Sequence, residues 1–316
     1  MRILFAGTPD IAVPTLRSLA EQFEVGAVLT NPDKKGSRGK ALLPSAVKQE
    51  ALALGLPVLQ PESLRTEARE LVASYGCDTL VCFAYGKIFG PRFLSLFSGE
   101  KLNIHPSMLP LLRGPSPIQG AILNQFGSTG ISIQRLAAEM DSGDLLLSEE
   151  FALQGDETTQ SLTDKVKEKA ALLAVEAMKR VSDGSALFVP QKGEPTYTTL
   201  ITREMALIDW NLPAKDIHAL IRTMNPWPKA YTIFEGEILS ITSVVGLLKD
   251  AGSDPVPPGT VVGTVVSKQK GKGVAIATGV GLLWVDRLQL EKRKEMDWVS
   301  FLPGNRTFLG TKLGYQ

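Results

Sequence analysis

The chain has 316 residues, 44% hydrophobic and 21% charged, with a net charge of +1 at neutral pH. That length suits two domains better than one, and the composition excludes a disordered or strongly polyanion-seeking chain. Two cysteines (Cys77, Cys82) and two histidines (His105, His218) argue against a disulfide framework and a conventional zinc site.

The N-terminal apolar run is too short for a signal-peptide core or a membrane span, so the expected compartment is cytoplasmic. Ile3 to Ala6, stopped by Gly7, has the pattern of a buried parallel strand. A helix is expected from Asp10, with Pro14 in its first turn and Leu16, Leu19 and Ala20 on its apolar face. Val25 to Leu29 completes a βαβ unit whose crossover is right-handed. G-x-G-x-x-G is absent, so this is a Rossmann-type scaffold without the dinucleotide fingerprint. Residues 31–45 form a polar loop with Lys34, Lys35, Arg38 and Lys40, which alone reads as a solvated connection. A helix over Ser45 to Leu54, a strand at Pro57 to Gln60 and a helix over Glu62 to Tyr75 follow. Thr79 to Ala84 is uninterrupted and apolar, hence a central strand. Tyr85-Gly86 breaks it at the carboxyl end, where open α/β sheets place ligands.

Leu102 to His105 is the next strand. The period of two sets Asn103 and His105 on one side of it, where an amide N–H and an imidazolium N–H can converge on an oxyanion. Taken alone, His105 before Pro106 equally fits a polar residue closing a turn. A rigid loop over Pro110 to Pro117, a helix at Ile118 to Phe126 and a strand at Ile131 to Leu136 lead to Asp141. That residue opens a Ser-Gly turn, in the kind of loop that carries reactive groups. A strand at Glu149 to Leu153 and a long helix from Thr158 to about Asp183 complete this half, with Gly184 closing the helix.

Residues 188–205 are polar, with Pro190, Gly193 and Pro195, and read as an interdomain linker. A helix over Ala214 to Met224 ends sharply at Asn225-Pro226-Trp227-Pro228. Five short β runs follow between Tyr231 and Leu290, pointing to a small antiparallel barrel of OB type. A last helix is expected at Met296 to Leu302. Lys and Arg outnumber Asp and Glu after residue 205, a mild pointer to nucleic acid.

Asn103-x-His105 and Asp141-Ser142-Gly143 resemble the folate-dependent formyltransferases. Phe5-Ala6-Gly7-Thr8-Pro9-Asp10, Pro32 to Lys40, Ala84-Tyr85-Gly86-Lys87-Ile88, Ile208-Asp209-Trp210 and Asn225-Pro226-Trp227-Pro228 are similar to the methionyl-tRNA formyltransferase family, in family order over nearly the whole chain. The resemblance implies a Rossmann-like, mostly parallel catalytic sheet in 1–188, a linker at 189–207 and an OB-like tRNA-binding domain at 208–316. It implies transfer of a formyl group from 10-formyltetrahydrofolate, without a metal, to the α-amino group of initiator methionyl-tRNA. The enzyme would be a monomer with no membrane partner. Asn103, His105 and Asp141 are then catalytic, with His105 held charged by Asp141. Phe83, Ala84, Tyr85, Gly86 and Ile88, with Ser107, Leu109 and Pro110, fall to the folate. Arg38, Lys40, Lys268, Lys270, Lys272, Lys292 and Arg293 fall to the tRNA. Two other functions stay open. One is a sibling formyltransferase whose acceptor is a purine intermediate, an amino-sugar nucleotide or water. The other is a non-catalytic RNA-binding module, which leaves Asn103, His105 and Asp141 without a task.

Overall fold

The structure, a computed structural model, describes residues 1–35 and 42–314. The chain forms two compact units: Met1–Pro117 with Thr129–Phe151 and Thr163–Thr198, and Ile118–Ser128 with Ala152–Leu162 and Thr199–Gln316. Of the expected linker, residues up to Thr198 therefore fold with the first unit and those from Thr199 with the second. Among the described residues no helix is long and apolar enough to cross a membrane.

The first unit starts with β1 (Arg2–Gly7), α1 (Val13–Gln22) and β2 (Glu24–Leu29). Both strands are buried beyond their first residue, as strands covered on both faces must be. The two-residue strands β3 (Lys34–Lys35) and β4 (Leu42–Leu43) pair antiparallel on either side of residues 36–41, so Arg38 and Lys40 lie outside the described residues. α2 (Ala46–Ala53) starts where the Ser45 hydroxyl accepts the Lys48 N–H, an N-cap. After β5 (Val58–Leu59) comes α3 (Thr66–Ala73), shorter than the helix expected over 62–75. Lys87 Nζ donates to the carbonyls of Pro61 and Glu62, both at 2.8 Å, and holds that stretch outside the helix.

β6 (Thr79–Phe83) is followed by α4 (Pro91–Leu94), β7 (Lys101–His105), α5 (Pro117–Leu123), β8 (Ser128–Arg135), β9 (Leu145–Ala152) and α6 (Thr159–Asp183). The sheet order is β5-β2-β1-β6-β7-β8-β9, parallel from β5 to β7 and antiparallel between β7 and β8. The winding direction reverses between β1 and β6, so the carboxyl ends of those strands form the switch point where such sheets bind ligands. Gly7 and Phe83 are register partners there, and a Cβ on Gly7 would lie 3.0 Å from the Phe83 carbonyl oxygen. Leu4, Leu29, Leu80 and Cys82 pack against a run of rings, Tyr85 on Phe89, Phe89 on Phe93 and Phe93 on Phe97, with centroids 5.1–5.8 Å apart.

In the second unit α7 (Ala214–Thr223) packs on a sheet of β10 (Ala230–Phe234), β11 (Glu237–Val244), β12 (Val265–Gln269), β13 (Gly273–Ala277), β14 (Leu282–Leu290) and β15 (Met296–Asp297). The order is β10-β11-β14-β13-β12, antiparallel throughout, with β15 on β14. Irregular segments take part of each edge of that path. Along β12, Val265 exchanges hydrogen bonds with Gly310 and Thr311, and Gly263 accepts from Leu313. Along β10, Tyr231 accepts from Ile208 and Ile233 from Gly314. The helix expected over 296–302 shrinks to α8 (Trp298–Phe301), because Met296 and Asp297 pair with β14 and the Asp297 carboxylate caps Ser300. Phe234, Phe301 and Phe308 meet in the core with centroids 4.9–6.5 Å apart. Two titratable groups are buried on α7: Arg222 Nε donates to His218 Nδ1 at 3.0 Å, and His218 Nε2 faces the Gly246 carbonyl at 3.2 Å. Burial, with the Arg222 charge beside it, pushes His218 down to about 4.

Candidate active site

Sheet register builds the site. Ala6, Cys82, Asn103 and Gln134 are successive partners across β1, β6, β7 and β8, which places their side chains in one row on one face. His105 stands two residues along β7 from Asn103, on the same face, and pairs with Ser132. Beyond β8 the chain turns back at Asp141, which adopts a left-handed backbone with φ 52°. Its carboxylate lands on the row. Asn103 Nδ2 donates to Asp141 Oδ1 at 3.4 Å, and His105 Nδ1 lies 3.6 Å from Asp141 Oδ2. The three residues singled out in the sequence are thus together, within a side chain's reach of one another.

The loop after β7 completes the frame. Gly114 N–H donates to Asp141 Oδ2 at 2.8 Å, and the Leu112 carbonyl sits 2.9 Å from His105 Nε2. A carbonyl can only accept, so a neutral His105 carries its proton on Nε2 and keeps a lone pair on Nδ1. His105 is 4% exposed. Burial pushes its pKa below the ordinary value, against the pull of Asp141 and the Leu112 carbonyl, and the nearby Arg113 charge adds to the lowering. Desolvation thus works against the charged His105 expected from the sequence and favours the neutral imidazole. The site accordingly holds an amide donor at Asn103, a basic nitrogen at His105 and a carboxylate to compensate charge on that nitrogen.

Beside this row, β6 ends at Phe83, and Ala84 and Gly86 carry positive φ of 53° and 85°. They turn an exposed backbone outward at the switch point, while Tyr85 is buried between them. The Tyr85 carbonyl is held by Thr8 Oγ1 at 3.1 Å and Asn31 Nδ2 at 2.7 Å, which makes the turn rigid. Ile88 is 81% exposed and offers an apolar surface next to it. Exposed amide backbone beside an apolar face suits a flat heteroaromatic ring with donor and acceptor edges, so these residues fit a pterin. Tyr85 Oη, buried and without a hydrogen-bond partner, is one more polar atom at this place. Ser107 is wholly buried, its hydroxyl donating to the Leu111 carbonyl at 2.6 Å. Leu109 and Pro110 are buried too, Leu109 N–H donating to Ser132 Oγ at 3.1 Å. Burial pushes the Cys82 thiol up to about 12, so it stands in the row as an inert neighbour.

Two residues the sequence reading passed over shape the site. Gln134 is 1% exposed, donates to Asp141 Oδ1 at 3.0 Å and accepts the Gly143 N–H at 3.1 Å. Gln191 Nε2 donates to the carbonyls of Asp141 and Gly143 at 2.9 and 2.8 Å. Gln134 had a legible signal: Ser132 and Gln134 put polar side chains on a strand whose neighbours are apolar, and buried polar groups need partners. Gln191 had none, since it lies in a segment with the composition of a linker.

In the second unit Lys268 stands exposed on β12, and Lys270, Lys292 and Arg293 stand exposed in the turns after β12 and β14. Lys272 differs. Its ammonium is 3.2 Å from Asp254 Oδ2 and 5.3 Å from the Trp284 ring centroid.

Comparison with known proteins agrees with this architecture. A family model described as formyl transferase matches residues 1–178, and one described as formyl transferase, C-terminal domain, matches residues 200–306. A protein of Treponema denticola named methionyl-tRNA formyltransferase is 38% identical over 318 residues, covering 98% of this chain and 98% of its own. Among solved structures, an N-formyltransferase of Helicobacter canadensis, in complex with folinic acid and dTDP-3-aminofucose, superposes with a TM-score of 0.63 at 17% identity. The match covers 90% of this chain and 97% of that one. A methionyl-tRNA formyltransferase of Clostridium thermocellum gives 0.55 at 16% identity, over 78% of this chain and 93% of that one.

Proposed function

The chain belongs to the formyl transferase family, and from that premise we propose that it moves a formyl group from 10-formyltetrahydrofolate to the α-amino group of initiator methionyl-tRNA. The observation that carries this reading is the meeting of Asn103, His105 and Asp141 next to the 84–88 turn. We propose residues 1–188 as the catalytic domain, 189–207 as the connection and 208–316 as the tRNA-binding domain. The acceptor places the reaction in the cytoplasm.

Bound 10-formyltetrahydrofolate supplies an activated formyl carbon. Asn103, whose amide makes only the long 3.4 Å contact to Asp141 among the described residues, donates Nδ2–H to the formyl oxygen as negative charge gathers there. His105 Nδ1 takes the proton lost by the attacking amine and returns it to the departing nitrogen. Asp141 compensates the imidazolium charge while it lasts, 3.6 Å away. Phe83, Ala84, Tyr85, Gly86 and Ile88, together with Ser107, Leu109 and Pro110, are the proposed pterin-binding residues. Arg38, Lys40, Lys268, Lys270, Lys272, Lys292 and Arg293 are the proposed tRNA contacts, and five of them (Lys268, Lys270, Lys272, Lys292, Arg293) are exposed cations in the second unit, Lys272 beside Asp254.

The test is to incubate the protein with 10-formyltetrahydrofolate and, separately, methionyl-tRNA, an amino-sugar nucleotide, or no acceptor. Formylated methionine released from the tRNA supports the reading. Formyl transfer to the sugar amine, or donor consumption without acceptor, replaces it with one of the sibling activities.

A further inference from the structure

Residues 189–198 run as a strap over the loops that frame the site. At one end Val189 and Leu145 exchange hydrogen bonds of 2.8 and 2.9 Å, just past the Asp141 turn. At the other, the Arg113 carbonyl accepts from Thr198 N at 2.8 Å and Thr198 Oγ1 accepts from Ser116 N at 3.1 Å. Between them Thr196 holds the loop after β7 three times. Its N–H donates to the Pro110 carbonyl at 3.3 Å, its Oγ1 accepts from Leu112 N at 2.8 Å, and its carbonyl accepts from Arg113 N at 2.8 Å. That loop supplies the Leu112 carbonyl to His105 and the Gly114 N–H to Asp141.

Gln191 is the strap's contact with the other half of the site. Arg113 Nη2 donates to Gln191 Oε1 at 2.7 Å, which fixes the amide so that Nε2 faces away from the guanidinium. Its two N–H groups then meet the carbonyls of Asp141 and Gly143 on both sides of Ser142. One of those carbonyls belongs to Asp141 itself, whose left-handed backbone is costly for a non-glycine and persists only where its surroundings hold it.

We infer that Gln191 is a positioning residue that sets Asp141 against His105, and that Thr196 does the same for the loop on the far side of the imidazole. The inference rests on the assignment of His105 and Asp141 to catalysis. Neither residue touches the reacting groups; each acts through a backbone that does. Losing the Gln191 donors frees the Asp141 turn, and a displacement of about 1 Å costs about a hundredfold in rate.

The experiment compares Gln191→Met, Gln191→Glu, Thr196→Val and Asp141→Asn in the full chain, with methionyl-tRNA and 10-formyltetrahydrofolate. Gln191→Met removes the donors at similar length. Gln191→Glu keeps an acceptor for Arg113 but sets carboxylate oxygens against two carbonyls, so it is read in the same way should the Met variant not fold. The expected result is a kcat lower by about a hundredfold, a donor KM close to native and an acid limb of the kcat–pH profile moved to lower pH. The limb moves because Asp141 no longer supports the protonated imidazole, a signature that loss of stability alone does not produce. Thr196→Val lowers kcat as well. Native kcat and a native acid limb in the Gln191 variants overturn the inference when Asp141→Asn is inactive. Native turnover in Asp141→Asn overturns the catalytic assignment itself.

Discussion

Gly143 and Gln134 fix each other across the Asp141 turn. The Gly143 N–H donates to Gln134 Oε1 at 3.1 Å, which leaves Gln134 Nε2 to donate to Asp141 Oδ1 at 3.0 Å. A backbone N–H can only donate, so it decides which way the glutamine amide points. The turn also has no room for a side chain, since a Cβ on Gly143 would lie 1.9 Å from the Arg135 carbonyl oxygen.

Gly143→Ala should therefore push the turn off β8 and carry Asp141 with it. Turnover is expected to fall by about a hundredfold or more, with a lower Tm. Steady-state kinetics and thermal unfolding on the same sample check it, and native values in both would show that the turn is softer than its contacts imply.

Asn103→Ala removes one donor aimed at the developing oxyanion. Its expected effect is a kcat lower by about a hundred- to a thousandfold, with folate binding little changed. Single-turnover rates and donor titration separate the two quantities. A variant that binds the donor poorly but reacts at the native rate would move Asn103 from chemistry to binding.

Activity should rise with pH as His105 loses its proton, because the base works deprotonated. Burial holds the group below its ordinary 6.5, so the midpoint of the acid limb should fall below that value. The kcat–pH profile at saturating substrates reads it directly. An acid limb centred above neutrality would restore a charged histidine as the working form.

His218 makes a different prediction, about stability. It is pushed down to about 4 from an ordinary 6.5. As pH falls below 6.5 the unfolded chain takes up a proton that the folded chain refuses until about 4, so stability present above 6.5 drains across that window. The full loss is roughly 3 kcal/mol on the scale of 1.36 kcal/mol per pKa unit. His105, lowered in the same direction, adds to it. His218→Gln keeps an acceptor for Arg222 Nε and should flatten the fall of Tm between pH 6.5 and 4; an unchanged slope would remove His218 as its source.

Neutralising Lys268, Lys270, Lys292 and Arg293 together should raise the KM for methionyl-tRNA and lower its salt dependence, by about 0.9 in log–log slope per lost phosphate contact. Lys272 is left alone because it already holds Asp254. Kinetics at two salt concentrations decide the matter, and unchanged tRNA kinetics would take these turns out of the interface.

The strands that organise the first unit were legible because burial on both faces leaves a continuous apolar run, as in Ile3 to Ala6 and Thr79 to Phe83. Asn103 and His105 were legible because strand period alone puts them on one side. What surrounds them was not. The Leu112 carbonyl and Gly114 N–H belong to the backbone, which no residue pattern encodes, and Gln191 reaches the Asp141 turn from fifty residues further along. A carboxylate partner for His105 can be guessed from sequence, whereas the depth of burial that works against its charge cannot. Helix ends failed where a distant side chain intervened, as Lys87 does at Pro61 and Glu62.

The stitching of Gly310 to Gly314 along both margins of the second unit's sheet bears on how this protein survives crowding. Unpaired strand margins are templates on which a second chain can add a strand and begin aggregation. Here the segment Gly310 to Gly314 takes β12 at Val265 and β10 at Ile233, and Ile208 takes β10 at Tyr231. Strand addition at Val265 and Ile233 must wait until that tail lets go. The onset of aggregation should accordingly follow the local opening of the last few described residues, seen as amide exchange at Gly310 and Leu313, well before the sheet itself unfolds.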